Sequence, residues 1–215
     1  MAGPFGDTFV DTAGANLSIH TPTGPNPGTS WVASDGVIVF DASNRINDGA
    51  FSASNQYCLS DDIGSDQMDV QLDITQLTAS VGTRGVRTRT STADAAGWEY
   101  SYDAAGGQWH IDDGTTSANF SEAWPGGTVT IKAEQRTGVG RLYANGALKV
   151  TLNSNLHSGR TRAGLTLSNF SASGPVHQAD NFSAVSATDS PALASSYRTF
   201  PKDRLRYDLP EEVLA

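Results

Sequence analysis

The stretch TVTIKAEQRTGVGRLYANGALKVTL, residues 128–152, decides the fold. Val129, Ile131 and Ala133 alternate with Thr128, Thr130, Lys132 and Glu134, the period of two that buries one face of a β-strand. Leu148, Val150 and Leu152 resume the alternation after Asn145-Gly146, the pair best able to take positive φ at both centres of a type I′ hairpin. Met68, Val70, Leu72 and Ile74 point one way upstream, and Asp69, Gln71, Asp73 and Thr75 the other. A second hairpin is predicted from 98–103, through Ala104-Ala105-Gly106-Gly107, to 108–112. Further strands are expected at 36–41, 56–59, 84–90, 162–168 and 177–185. About a dozen short strands, with Gly, Asn, Asp and Ser turns and no helical period between them, describe an antiparallel sandwich or barrel.

The composition agrees. The 215 residues hold 22 Gly, 23 Ser, 21 Thr and 11 Asn, but only 5 Glu and 3 Lys, which disfavours a helical bundle. The longest apolar run is residues 37–40, far short of the roughly 20 that cross a bilayer, and no basic-then-apolar leader opens the chain. No membrane insertion is expected. A net charge of -9 and a pI near 4.7 argue against nucleic acid as a partner, because phosphate affinity comes mainly from Lys and Arg. The single cysteine, Cys58, excludes an internal disulfide and any multi-cysteine zinc site, and reads as a buried small hydrophobe. These features fit folding in a cytoplasm.

The texture changes at residue 186. The last 30 residues open with small residues and Pro191, then gather Arg198, Lys202, Arg204 and Arg206 beside Tyr197, Phe200, Leu205 and Tyr207. Asp208, Pro210 and Glu211 suit the cap of a short helix reaching Val213 and Leu214. The division is therefore a sandwich over 1–185 and a C-terminal extended arm over 186–215. Tyr197, Arg198, Phe200, Arg204, Leu205, Arg206, Tyr207, Leu209, Val213 and Leu214 would contact a neighbouring subunit. A disordered terminus is the alternative.

The opening FGDTFVDTAGANLSIHTP (5–22), then Ser30-Trp31 and GVIVFDASNRI (36–46), resembles the start of the laminin-G-like, concanavalin A-like jelly rolls of bacteriophage virion proteins. The likeness runs on through MDVQLDIT (68–75), WEYSYDAAGGQWHIDDG (98–114), the 128–152 segment, AGLTLS (163–168) and Asp180-Asn181-Phe182. It implies an all-β, two-sheet antiparallel β-sandwich displayed on a virion, as a minor tail or capsid decoration protein. Other virion structural proteins would be its partners, and the chain would form a homo-oligomer within the particle.

Four kinds of site chemistry were weighed. Asp69-Val70-Gln71-Leu72-Asp73 echoes the Glu-x-Asp-x-Glu strand of some concanavalin A-like glycanases, with both outer acids shortened and the middle one replaced by Gln. Two Asp four residues apart on a strand have Cα atoms about 13 Å apart, too far for short arms to pair as catalytic carboxyls. His20, His110, His157 and His177 are widely spread and no nucleophile motif is present, so no catalytic residue is nominated. Trp98, Tyr100 and Tyr102 share one strand face, Trp109 follows across the hairpin, and Trp124 lies beyond. Beside Glu99, Asp103, Asp112 and Asp113 these rings suit a host-surface glycan, or else they form the inward face of the sandwich. The polar alternates Glu99, Ser101 and Asp103 favour the inward placement.

No cofactor is expected. The resemblance admits calcium, with Asp61, Asp62 and Asp66, or Asp112 and Asp113, as oxygen donors, although turn capping is the commoner role of such Asp. Arg84, Arg87 and Arg89 form the body's one cationic cluster. Arg87 and Arg89 are expected on one surface strand face, paired with cross-strand Asp or with an acidic neighbour. The leading expectation is thus a non-enzymatic virion component anchored by its arm, with a carbohydrate-binding module as the alternative.

Overall fold

The computed structural model describes residues 5–23, 30–35, 37–47, 56–77, 82–93, 96–168 and 177–187. In chain order the strands are β1 (Phe5–Asp7), β2 (Trp31–Asp35), β3 (Val39–Phe40), β4 (Ile46–Asn47), β5 (Gln56–Leu59), β6 (Met68–Gln76), β7 (Thr83–Thr90) and β8 (Trp98–Asp103). They continue with β9 (Gln108–Asp112), β10 (Ser117–Ser121), β11 (Thr128–Arg136), β12 (Val139–Ala144), β13 (Ala147–Asn153), β14 (Arg162–Leu167) and β15 (His177–Ser186). One 3-10 turn, Leu17–Ile19, is the sole helical element among the described residues.

Two antiparallel sheets form the concanavalin A-like jelly-roll sandwich. The first runs β13-β12-β11-β6-β15-β4-β3, with β1 paired to the later half of β15. The second runs β10-β9-β8-β7-β14-β5-β2. The hairpin predicted at Asn145-Gly146 joins β12 to β13, with φ of 49° and 79° at its two centres. β8 and β9 have the bounds read from the alternation.

The core lies between the sheets. Met68, Val70, Leu72 and Ile74 of β6 and Val129, Ile131 and Ala133 of β11 meet Tyr57, Val86, Trp98, Tyr100, Trp109, Ile111 and Leu165 from the other side. Gly140 of β12 sits directly against this aromatic layer: a Cβ there would lie 2.3 Å from Tyr100 Oη and 2.5 Å from the Trp98 ring. The Tyr100 hydroxyl donates to Gln135 Oε1, which also accepts from Thr88 Oγ1 at 3.1 Å. Gln135 Nε2 donates to Arg136 O and Val139 O, so a fully buried amide is satisfied from both sheets.

The arginine cluster departs from expectation. Arg84 is on the core face of β7, fully buried, with its guanidinium 4.8 Å from the Tyr102 ring and 4.4 Å from the Trp124 ring. It donates to Gln76 Oε1 at 2.8 Å and to His177 Nε2. Arg89 is also fully buried and does not share a face with Arg87. Its φ of 49° breaks the alternation, and its side chain reaches the carbonyls of Asp66, Leu156 and Arg136. Burial lowers the Arg89 guanidinium's pKa from the ordinary Arg value, against the pull of Asp66. Arg87 remains on the outer face, directly opposite Glu99.

A second buried polar knot ties the first strands together. Asp7 of β1 accepts from Trp31 Nε1 at 2.7 Å and Phe9 N at 2.9 Å, and lies 3.1 Å from His20 Nε2. His20 Nδ1 is 3.0 Å from Asp11 Oδ2, and the ring packs on Phe40.

Of segment 186–215 only Ser186 and Ala187 are among the described residues, with Ala187 N donating to Gln67 O. The arm residues Tyr197, Arg198, Phe200, Arg204, Leu205, Arg206, Tyr207, Leu209, Val213 and Leu214 lie outside them.

Gly140→Ala is expected to lower stability by about 1–3 kcal/mol, because its methyl must displace the Tyr100 and Trp98 rings. The shift is read as a lower urea midpoint at constant slope. An unchanged midpoint would show slack between the sheets.

Candidate functional site

The aromatic residues named from the sequence do not line a ligand surface. Trp98, Tyr100 and Trp109 have zero exposure and Tyr102 has 4%. Their edges and faces are taken by one another: Tyr102 meets Trp109 edge-on at 4.9 Å, and Trp98 stacks near Tyr100. Trp98 Nε1 donates to Leu156 O and Trp109 Nε1 to Glu122 Oε2, so the indoles are satisfied inside the protein. The reason is the alternation itself, which turns these rings toward the other sheet. Trp124 alone of the five is half-buried. It packs on Trp109 and Tyr102 and covers Arg84, on the core side of the second sheet.

The same alternation delivers the polar partners to the opposite, outer face of that sheet. Strand register puts Asp112 opposite Glu99 and Glu99 opposite Arg87 in one row. His110, Ser101, Gly85, Thr166 and Gln56 form the next row. Gln56, Arg87, Glu99, His110 and Asp112, with Ala96, Gly97 and Gly114, line a groove of about 230 Å³. Strands β5, β7, β8 and β9 thus supply the side chains, and the turns before β8 and after β9 supply the rim.

The rim is fixed. Ala96 O accepts from Arg160 Nη1 at 3.0 Å, and Gly114 N donates to Asp112 Oδ1 at 2.5 Å. Gly97 presses on β7 so closely that a Cβ would lie 3.0 Å from Thr90 Cγ2 and 3.1 Å from Arg89 O. Glu99 Oε1 accepts from Ser101 Oγ at 3.0 Å, and His110 Nε2 stands 3.8 Å from Asp112 Oδ2. Beneath the same face, Thr166 is fully buried and its Oγ1 has no hydrogen-bond partner among the described residues. Cys58 shares this layer, buried, with Sγ 3.6 Å from Ser91 O, and burial raises its thiol pKa. Glu99 and Asp112 were named from the sequence as sugar-suited acids. Gln56, Arg87 and His110 were not placed with them, because only the sheet order β9-β8-β7-β14-β5 brings them together.

The other acids are committed to the fold. Asp69 pairs with Arg136 at 2.7 Å and Lys132 at 3.2 Å, on the outer face of the first sheet. Asp73 accepts from Thr130 Oγ1 at 2.6 Å and Asn181 Nδ2 at 3.0 Å. Several of the residues named for calcium cap turns or loops. Asp62 Oδ1 caps Gly64 N, Asp66 Oδ2 accepts from Gly159 N, and Asp113 accepts from Thr115 N, Thr116 N and Thr116 Oγ1. No three metal-ligating side chains gather among the described residues.

No family model matches the chain, and no curated protein matches it in sequence. Solved structures do share its fold. The carbohydrate-binding module CBM66 from Bacillus subtilis superposes with a TM-score of 0.54 at 14% identity, covering 70% of this chain and 91% of its own. A Bacillus licheniformis β-glucanase gives 0.56 at 13% identity, covering 86% and 99%. A glycosyl hydrolase family protein from Mycobacterium fortuitum gives 0.55 at 10%, covering 84% and 98%. At these identities the likeness shows the sandwich fold alone.

Asp113 offers a check on the turn-capping role. Burial pushes its carboxyl up, but hydrogen bonds from Ser154, Thr116 and Thr115 outweigh burial and hold it below the usual carboxylate range. A depressed carboxyl contributes stability above its unfolded pKa and loses it as pH falls. Asp113→Ala is therefore expected to cost about 1–3 kcal/mol at neutral pH, with the difference from wild type shrinking as pH drops below about 4. Melting temperatures of wild type with calcium or chelator should coincide; a calcium-dependent rise would reverse the assignment.

Proposed function

We propose that the protein is a non-catalytic carbohydrate-binding module whose ligand sits in the groove of Gln56, Arg87, Glu99, His110 and Asp112. The observation that carries this reading is the convergence of five hydrogen-bonding side chains from four strands on one concavity. Two carboxylates accept from hydroxyl groups, and an amide and an imidazole either donate or accept, with the buried Arg87 behind them. That inventory matches the closely spaced hydroxyls of a sugar. The fold supports it, since the carbohydrate-binding module CBM66 has a similar one.

Hydrolysis has less behind it, although a β-glucanase and a glycosyl hydrolase family protein are among the structures that share the fold. Asp69 and Asp73, the acids that echo a glycanase strand, are tied to Arg136, Lys132, Thr130 and Asn181. In the groove, Asp112 is held by Gly114 N and Glu99 by Ser101, which suits fixed acceptors. No feature of the described residues favours a place in a virion or a virion partner over this reading.

A glycan array probed with the full chain is expected to show binding to a restricted set of sugars. Glu99→Ala and His110→Ala, both on the groove wall, should each weaken that binding about tenfold or more in protein that circular dichroism shows to be folded, by loss of hydrogen bonds to the ligand. Binding that survives both substitutions, or an array with no bound glycan, would contradict the proposal.

A further inference from the structure

The charge and lining of the groove narrow the class of sugar, on the footing of the carbohydrate-binding reading above. Three features act together. First, among the described residues no Trp, Tyr or Phe ring lines the groove, because Trp98, Tyr100, Tyr102 and Trp109 all point to the other side of the sheet. Recognition there falls to hydrogen bonds and charge, without a stacking term. Second, the charges are layered. Arg87, the one arginine among the described lining residues, is buried, whereas the Asp112 side chain is 42% exposed. Glu99 stands between them in register. A ligand entering from solvent therefore meets carboxylate before guanidinium. Third, the chain as a whole carries -9, so the long-range field also opposes an anion.

We infer that the groove selects uncharged sugars and excludes uronic and sialic acids. A sugar carboxylate placed among Glu99 and Asp112 meets like charge at short range, and the recessed Arg87, already beside Glu99, is poorly placed to compensate. A neutral polyol has no such penalty: its hydroxyls donate to the two carboxylates.

The test is a glycan array carrying matched neutral, uronate-terminated and sialylated chains, followed by calorimetry on methyl glucoside, methyl galactoside, methyl glucuronide and the methyl glycoside of N-acetylneuraminic acid. Neutral ligands should bind at least about tenfold more tightly than acidic ones at low salt, with the gap narrowing as ionic strength rises. In the full chain carrying Glu99→Gln and Asp112→Asn together, the gap should fall to about threefold or less. Equal or tighter binding of the acidic sugars by wild type overturns this inference while leaving the carbohydrate-binding reading in place. A preference for neutral sugars that survives the double substitution overturns the assignment to these two acids. Failure of every glycan to bind overturns both.

Discussion

The structure depends on the close approach of the two sheets at Gly140. Trp98 and Tyr100 fill the space where any other residue would carry a side chain, and the Tyr100 hydroxyl is anchored on Gln135 of the facing sheet. Burial pushes the Tyr100 phenol far above its ordinary pKa, so the group is a permanent hydrogen-bond donor. This contact fixes the direction in which β8 faces. Because alternate side chains on a strand point to opposite sides, seating the rings inward obliges Glu99 to face outward. The groove is thus a consequence of how the core is filled.

The same logic explains the opening phrase of the sequence. In Phe5-Gly6-Asp7-Thr8-Phe9 the two Phe are buried in the core, and Asp7 collects the Trp31 indole, the Phe9 amide and His20. A carboxylate with so many partners closes β1 and the 3-10 turn onto β2. The spacing of Asp7, His20 and Trp31 in the chain is therefore that of a structural clamp. It accounts for the phrase without assigning it a role in binding.

Much of the fold was legible in the sequence. The alternation in β6 and β11, the Asn145-Gly146 hairpin and the exact bounds of β8 and β9 all follow from local pattern; in β13 Val150 and Leu152 are buried as that pattern implies, but Leu148 is exposed, beside a register shift at Leu142/Tyr143 of β12. The strands β1 and β4 were not legible, because three and two residues are too few to show a period, and β10 was not, because no residue along it is buried. Arg89 was misplaced for a different reason: counting by twos assumes an unbroken strand, and the positive φ at that residue turns its side chain into the core. For the site, Glu99 was visible on the outer face of its strand and Asp112 as an acid near the rings. Arg87 and Gln56 were not assigned to that row, since they come from β7 and β5 and meet it only through the order of strands in the sheet. The segment 186–215 was read as an arm from its composition, and that reading has no structural counterpart among the described residues.

The claim on which the account turns is that the ligand occupies the outer face of the second sheet. Nuclear magnetic resonance titration of the labelled protein with a bound neutral glycan tests it directly. The account predicts shifts concentrated at the backbone amides of Gly97, Glu99, His110, Asp112 and Gly114. Shifts concentrated instead at Asp69, Asp73 and Thr130 on the first sheet, or at Trp124 and its turn, would contradict it.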